Sequence, residues 1–341
     1  MSPPEKQNTQ GLLQYLSRTQ AEIAEKFEII ERREKERLQS KGCFVNHPIA
    51  HARNRWTRAM PFANNRVHLR NTPFDYINAS PIDIGSLKHI ATQNPTSIND
   101  FWRMTWDENS NSIIMLMPVN GNGEDRCARY YPRDIGVIIK IGDFQITLLT
   151  KAVEHNCNTE VRELQVLHGD ETRTVWHFAF LGWPDHGVPS DDDRRALLGL
   201  IKLSRHSLED SIPRMVHCSA GCGRTGTFIA LDYLLEELER GAFDGELEID
   251  PVFETVDYLR EKRVMMVQNV TQFGFIYHTL LWRWKDKHGI GEDIGTNLDY
   301  TSVLCGPTRK MKKSRWQGIP QRMSTSTDTG VESLTKPIPE D

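Results

Sequence analysis

About two-thirds of the way along the sequence a cysteine and an arginine are separated by five small residues, in the run Met215-Val216-His217-Cys218-Ser219-Ala220-Gly221-Cys222-Gly223-Arg224-Thr225-Gly226-Thr227. A short apolar strand enters this turn, and a helix carrying Phe228, Ile229, Leu231, Leu234 and Leu235 leaves it. Such a turn aims the successive N–H groups of Ser219, Ala220, Gly221, Cys222 and Gly223 into one concavity, and the helix adds its positive end. The concavity therefore suits an oxyanion with several acceptors. Cys218 opens it, and a thiol facing those donors and Arg224 is expected to act as a thiolate nucleophile. Arg224 presents a planar fork that matches two phosphate oxygens. Thr225 can give its hydroxyl to the sulfur, which helps a thiolate leave later. His217 is expected to brace the loop by hydrogen bonds rather than to touch substrate. A lone cysteine beside a glycine turn would be packing; the Cys-x5-Arg spacing is what points to chemistry.

The segment from His217 to Gly226 resembles the signature of the cysteine-dependent protein-tyrosine phosphatases, and the resemblance runs in order from about Ile23 to Lys285. In form it resembles a single-domain, non-receptor member. The resemblance implies an α/β fold, one domain with a twisted mixed sheet flanked by helices. It also implies hydrolysis of phosphotyrosine in proteins through a cysteinyl-phosphate, without metal or cofactor, in dephosphorylation signalling.

Three further segments take their meaning from it. Gly182-Trp183-Pro184-Asp185-His186-Gly187-Val188-Pro189 is by itself only a turn. It resembles the family's closing loop, with Trp183 structural and Asp185 the general acid. Asp185 would protonate the departing phenolate and then accept a proton from the hydrolytic water. Gln268-Asn269-Val270-Thr271-Gln272-Phe273 resembles the glutamine loop, in which Gln268 positions that water and Gln272 makes a secondary contact. Asn54-Arg55-Trp56, followed by Asp75 to Ser80, resembles the aromatic wall of a deep pocket and the stretch behind it. A deep aromatic slot selects a phosphorylated phenol, because a phosphoserine is too short to reach the thiolate. The family's aromatic is tyrosine; Trp56 offers a larger face for the same stacking.

Several positions depart from the family pattern. Arg58 stands where an aspartate often holds the substrate backbone, and with Arg55 it is expected to favour acidic residues beside the phosphotyrosine. Met265 replaces a glycine that widens the pocket in some relatives, so doubly phosphorylated peptides should gain little. The glutamate that buttresses the catalytic arginine is absent from its place, where Asn120 and Gly121 stand, leaving Glu124 or Asp125 to reach in. The segment from Arg126 to Pro132, by contrast, resembles a family stretch whose basic residue, here Arg126, approaches the site. Cys127 and Cys222 are either packing residues or traps for an oxidised Cys218.

These groups need a scaffold. Leu12 to Leu38 has helical spacing, closed by Gly42, with the charged run ERREKER expected to be solvated; a partner-binding coiled coil is the alternative. Residues 112–117, 136–140, 144–150, 174–181 and 214–217 read as strands, and 194–207, 225–240, 251–261 and 271–285 as helices. Residues 1–10 read as a disordered end, 11–288 as the catalytic domain with its helical extension, and 289–341 as a disordered tail. The basic run Arg309 to Arg315 is solvated chain, a nuclear signal or an acidic docking patch.

The balance of 42 bases against 46 acids, a net charge of −4, argues against general nucleic-acid binding. No apolar run approaches the ~18 residues of a membrane span. The six cysteines are irregularly spaced and lack a CxxC pair, which argues against zinc. With no export signal in MSPPEKQNTQ, they read as reduced thiols in the cytosol. The expected partners are tyrosine-phosphorylated proteins, kinase activation loops among them by analogy. Three other readings compete: a dual-specificity or phosphoinositide phosphatase, a phosphotyrosine-binding pseudophosphatase, and a scaffold built on the N-terminal helix.

Overall fold

The computed structural model describes residues 10–39, 42–117, 129–184, 187–206 and 211–290. The opening helical pattern is divided in two, α1 (Gln10–Leu16) and α2 (Gln20–Leu38). Thr19 causes the break. Its hydroxyl accepts from the Glu22 N–H while the Glu22 carboxylate accepts from the Thr19 N–H at 2.7 Å, a reciprocal cap that starts a new helix. The expected single helix from Leu12 to Leu38 is therefore corrected, and α2 ends at Leu38 under Gln39 rather than at Gly42. Its charged end is mostly exposed, as expected, with Glu31, Arg32, Arg33, Lys35 and Glu36 on the surface, but it is also tied to the domain. Arg33 and Arg37 pair with Asp257, and the buried Glu34 pairs with Arg260 at 3.0 Å.

After α3 (Pro48–Arg53) come β1 (Ala79–Ile84) and β2 (Leu87–Thr92), then α4 (Ile98–Asp107) and β3 (Ser112–Met115). Next lie β4 (Ile138–Ile141), β5 (Phe144–Glu154), β6 (Thr159–His168) and β7 (Glu171–Phe180). The rest is α5 (Asp191–His206), β8 (Arg214–His217), α6 (Gly223–Glu239), α7 (Pro251–Lys262) and α8 (Val270–Lys287). The strands form one eight-stranded sheet in the order β1-β2-β8-β3-β7-β6-β5-β4. Its centre, β2-β8-β3-β7, is parallel; the two flanks are antiparallel. The mixed sheet flanked by helices is the architecture expected. β1, β2, β6, α3 and α4 were not anticipated. β1 contains Pro81, which a sheet tolerates at its edge, where β1 lies.

Alternation along the central strands divides the core. Ile114, Leu116 and Val216 face a layer of α1, α2 and α5 to α8, whereas Ile113, Met115 and Met215 face α4, Tyr130 and Tyr131. β8, like its neighbour β3, is buried at all four positions, and it runs directly into Cys218, so an enclosed strand fixes where that residue lies. Among the described residues no helix is long and apolar enough to cross a membrane. The expectations for residues 1–9 and 291–341, the basic run included, lie outside the described residues.

Candidate active site

Between β8 and α6 the chain reverses the direction of its peptides. The carbonyl of Ser219 accepts from Asn94 N–H at 3.1 Å, and those of Ala220 and Gly221 accept from Arg263 at 3.1 and 2.8 Å. In a trans peptide the next residue's N–H points the opposite way, so the N–H groups of Ala220, Gly221 and Cys222 turn inward. One of them, Gly221 N–H, reaches Cys218 Sγ at 3.3 Å, and Thr225 Oγ1 reaches the same sulfur at 3.3 Å. Cys218 is 5 % exposed, at the floor of an open cleft of about 690 Å³. Gly221 has φ +69, and a Cβ there would stand 2.2 Å from the Thr92 carbonyl oxygen. A Cβ on Gly226 would stand 2.4 Å from Val267 N, so α6 and the glutamine segment touch backbone to backbone.

The cleft is lined by Trp56, Arg58, Met265, Gln268 and Gln272, and by Gly187. Trp56 is 51 % exposed at the mouth, and its indole N–H reaches Ser219 Oγ at 3.3 Å. Gln272 accepts from Gln268 N–H at 2.9 Å, which leaves the exposed Gln268 side chain on the cleft side. Met265 and Val267 have φ +57 and +59, unusual for residues with side chains and most of all for a β-branched one. Arg260 holds this turn by donating to the carbonyls of Met266 and Val267 at 3.0 and 2.8 Å, and Glu34 accepts from Met265 N–H at 2.7 Å.

Arg224 donates to the carbonyls of Leu116 at 3.2 Å and Pro184 at 2.8 Å. The second bond ties the Trp-Pro-Asp segment to Arg224, and the buried Trp183 anchors that segment through Gly187 O at 3.3 Å. Asp185 itself lies outside the described residues, as do Asn120, Gly121, Glu124, Asp125, Arg126 and Cys127. Cys222 is buried, and burial pushes its thiol up to about 11. Its S–H points at Ala220 O at 3.5 Å, the setting of a packed side chain. His217 is enclosed, 2.6 Å from the Tyr130 hydroxyl. No group of three or more His, Cys, Asp or Glu is placed to hold a metal among the described residues.

The structure thus gathers Cys218, Arg224, Thr225, Gln268, Gln272, Trp56 and Arg58 around one cleft. Sequence reasoning missed Arg263, Asn78 and Glu34. Arg263 is fully buried under the loop, pinned to Asn78 Oδ1 at 2.6 Å and Ser80 Oγ at 3.2 Å. The stretch from Asp75 to Ser80 that resembled the pocket's backing is its anchor, a link no spacing within either segment reveals.

A sequence profile described as protein-tyrosine phosphatase matches residues 50–282. The catalytic domain of human protein tyrosine phosphatase non-receptor type 18 is 31 % identical with a TM-score of 0.70, covering 77 % of this chain and 96 % of that one. The structure of PTPN18 in complex with HER2 phosphopeptides is 32 % identical with a TM-score of 0.70, covering 78 % and 94 %. Among curated proteins, the phosphatidylinositol phosphatase PTPRQ of Rattus norvegicus is 37 % identical over 71 % of this chain and 10 % of its own length. Receptor-type tyrosine-protein phosphatase alpha of Homo sapiens is 39 % identical over 68 % of this chain and 29 % of its own. This chain therefore spans a minor part of the length of those two curated relatives.

Proposed function

The chain belongs to the protein-tyrosine phosphatase family, and on that premise we propose that it hydrolyses phosphotyrosine in proteins through a phosphocysteine formed on Cys218. The observation that carries this reading is the sulfur itself. It sits at the floor of the cleft with Gly221 N–H and Thr225 O–H on it and Arg224 in the same wall. In the first step Sγ attacks phosphorus, the P–O bond to the ring breaks, and the phenolate leaves with a proton from Asp185. The inward N–H groups and Arg224 hold the equatorial oxygens where charge spreads. In the second step water loses a proton to Asp185 and attacks phosphorus. Inorganic phosphate leaves and the thiolate is restored with the Thr225 hydroxyl on it. Gln268, on the cleft side of its loop, would hold that water.

An enclosed Cys218 in a cleft lined by the exposed Trp56 ring would favour an aryl phosphate over the shorter phosphoserine. Arg58 on the rim would favour acidic neighbours, which suits activation-loop tyrosines of kinases. A second reading, phosphoinositide hydrolysis, is supported by the name of the PTPRQ relatives. One set of assays separates them. Cys218→Ser should abolish turnover and phosphoryl trapping, and Asp185→Ala should slow chemistry while retaining bound phosphoprotein. Wild-type protein should prefer phosphotyrosine peptides to phosphothreonine peptides and phosphoinositides; the reverse order would assign the second reading.

A further inference from the structure

A buried polar chain crosses the sheet and ends at the catalytic loop. Arg162 on β6 and His177 on β7 lie opposite one another in register, and Arg162 NH1 is 3.0 Å from His177 Nδ1. His177 Nε2 is 2.8 Å from the Tyr130 hydroxyl, which is 2.6 Å from His217 Nε2. His217 Nδ1 is 3.3 Å from the carbonyl oxygen of Cys218. Tyr130, His177 and His217 are fully buried and Arg162 is 5 % exposed.

The two ends of this chain each fix a direction. A guanidinium only donates, so His177 Nδ1 must accept; in a neutral ring the proton is then on Nε2. A carbonyl only accepts, so His217 Nδ1 must carry its proton, and Nε2 accepts. Burial holds both rings neutral, lowering His217 to about 4 and His177 well below its ordinary value. Tyr130 has one hydroxyl proton. It accepts from His177 and donates to His217, and the directions deduced from opposite ends meet there without conflict.

Resting on the reaction proposed above, we infer that Arg162 is a positioning residue: by fixing the tautomers of His177 and His217 in turn, it aims the His217 N–H that holds the carbonyl of Cys218. Arg162 is itself held on both sides. Glu160 pairs with it at 2.6 Å, and its guanidinium lies 4.4 Å from the centre of the Tyr131 ring. Trp102 fixes the middle of the chain by donating to Tyr130 O at 2.8 Å, and Phe101 packs edge-on against His217. With every member packed, losing the donor at Arg162 frees His177 to turn its proton around, and the change passes through Tyr130 to the loop.

The test reads the imidazole nitrogens of the full chain by long-range proton–nitrogen NMR, alongside turnover of an aryl phosphate. Wild-type protein should show His177 protonated at Nε2 and His217 at Nδ1. Arg162→Met should give mixed tautomers at both rings and lower kcat about tenfold, the scale of one buried hydrogen bond to a charged group, with KM changed less than about twofold. Arg162→Lys, which keeps a cationic donor, should restore both. His177→Gln, whose amide still donates to Tyr130, should lose less kcat than His177→Leu, which keeps the proposal testable if Arg162→Met fails to fold. His217 protonated at Nε2 in the wild type, or a folded Arg162→Met protein with both tautomers intact, overturns it. The tautomers are read without turnover, so a wrong substrate class leaves this result standing.

Discussion

The sulfur of Cys218 meets two donors, the Gly221 backbone N–H, which every replacement but proline keeps, and the Thr225 hydroxyl, which a side-chain change removes. Thr225→Val keeps the shape of that buried position, so in the proposed phosphocysteine route its effect should fall on the thiolate's departure from phosphorus. We expect kcat to drop about tenfold, from the loss of roughly one charge-assisted hydrogen bond. Rapid mixing should show a burst of released phenol; its absence would place the slow step elsewhere. Met265 gives a second prediction. A side chain at φ +57 costs roughly 1–2 kcal/mol, while glycine loses about 0.5–1 kcal/mol through chain entropy. Met265→Gly should therefore raise stability by about 0.5 kcal/mol in urea unfolding and let doubly phosphorylated peptides gain more over singly phosphorylated ones. At this scale the sequence was legible wherever chemistry depends on spacing within one segment, as from Cys218 to Arg224. It was silent on Arg263, whose partners Asn78 and Ser80 come from another part of the chain.

Glu34 belongs to α2, yet one of its oxygens accepts from Met265 N–H in the turn that leads to Gln268 and the other from Arg260 of α7, which holds that turn. Removing one partner of a buried ion pair costs about 3–5 kcal/mol, because the other charge is stranded. Glu34→Ala should approach that cost and lower kcat as well, since Arg260 also carries the Met266 and Val267 carbonyls. Parallel unfolding and turnover measurements would check this, and a loss under about 1 kcal/mol would contradict it. Removal of α1 and α2 should inactivate the enzyme rather than only release a docking helix. The helices α5 to α8 were readable because each presents a long apolar stripe. α1 and α2 were merged because apolar spacing continues across Ser17–Thr19, although Thr19 and Glu22 carried the capping signal. β6 was missed because Glu160, Arg162 and Glu163 interrupt its apolar pattern, and part of that charge is buried in the fold.

Across the whole molecule, buried ionisable groups set the response to acid. His217 titrates near 6.5 when unfolded and at about 4 when folded, so the unfolded chain binds the proton first. Stability therefore falls as pH drops from about 6.5 toward 4, by at most about 1.4 kcal/mol per unit for each such ring, and His177 acts in the same direction. Burial opposes charge on Asp232, but Arg214, His89 and Arg205 outweigh it and hold its carboxyl well below the usual range. Its contribution is lost only on further acidification. Urea midpoints measured across pH should show this two-stage decline, and His177→Gln should make the first stage shallower; a flat profile between pH 6.5 and 5 would refute the assignment. The blocked Cβ positions at Gly221 and Gly226 have a consequence over a longer time. A lineage carrying this fold has almost no freedom to drift at its catalytic centre, where one added methyl collides with main chain. Divergence is channelled to the rim, where Trp56, Arg58 and Met265 can change one at a time and retune which substrates are accepted while the reaction stays the same.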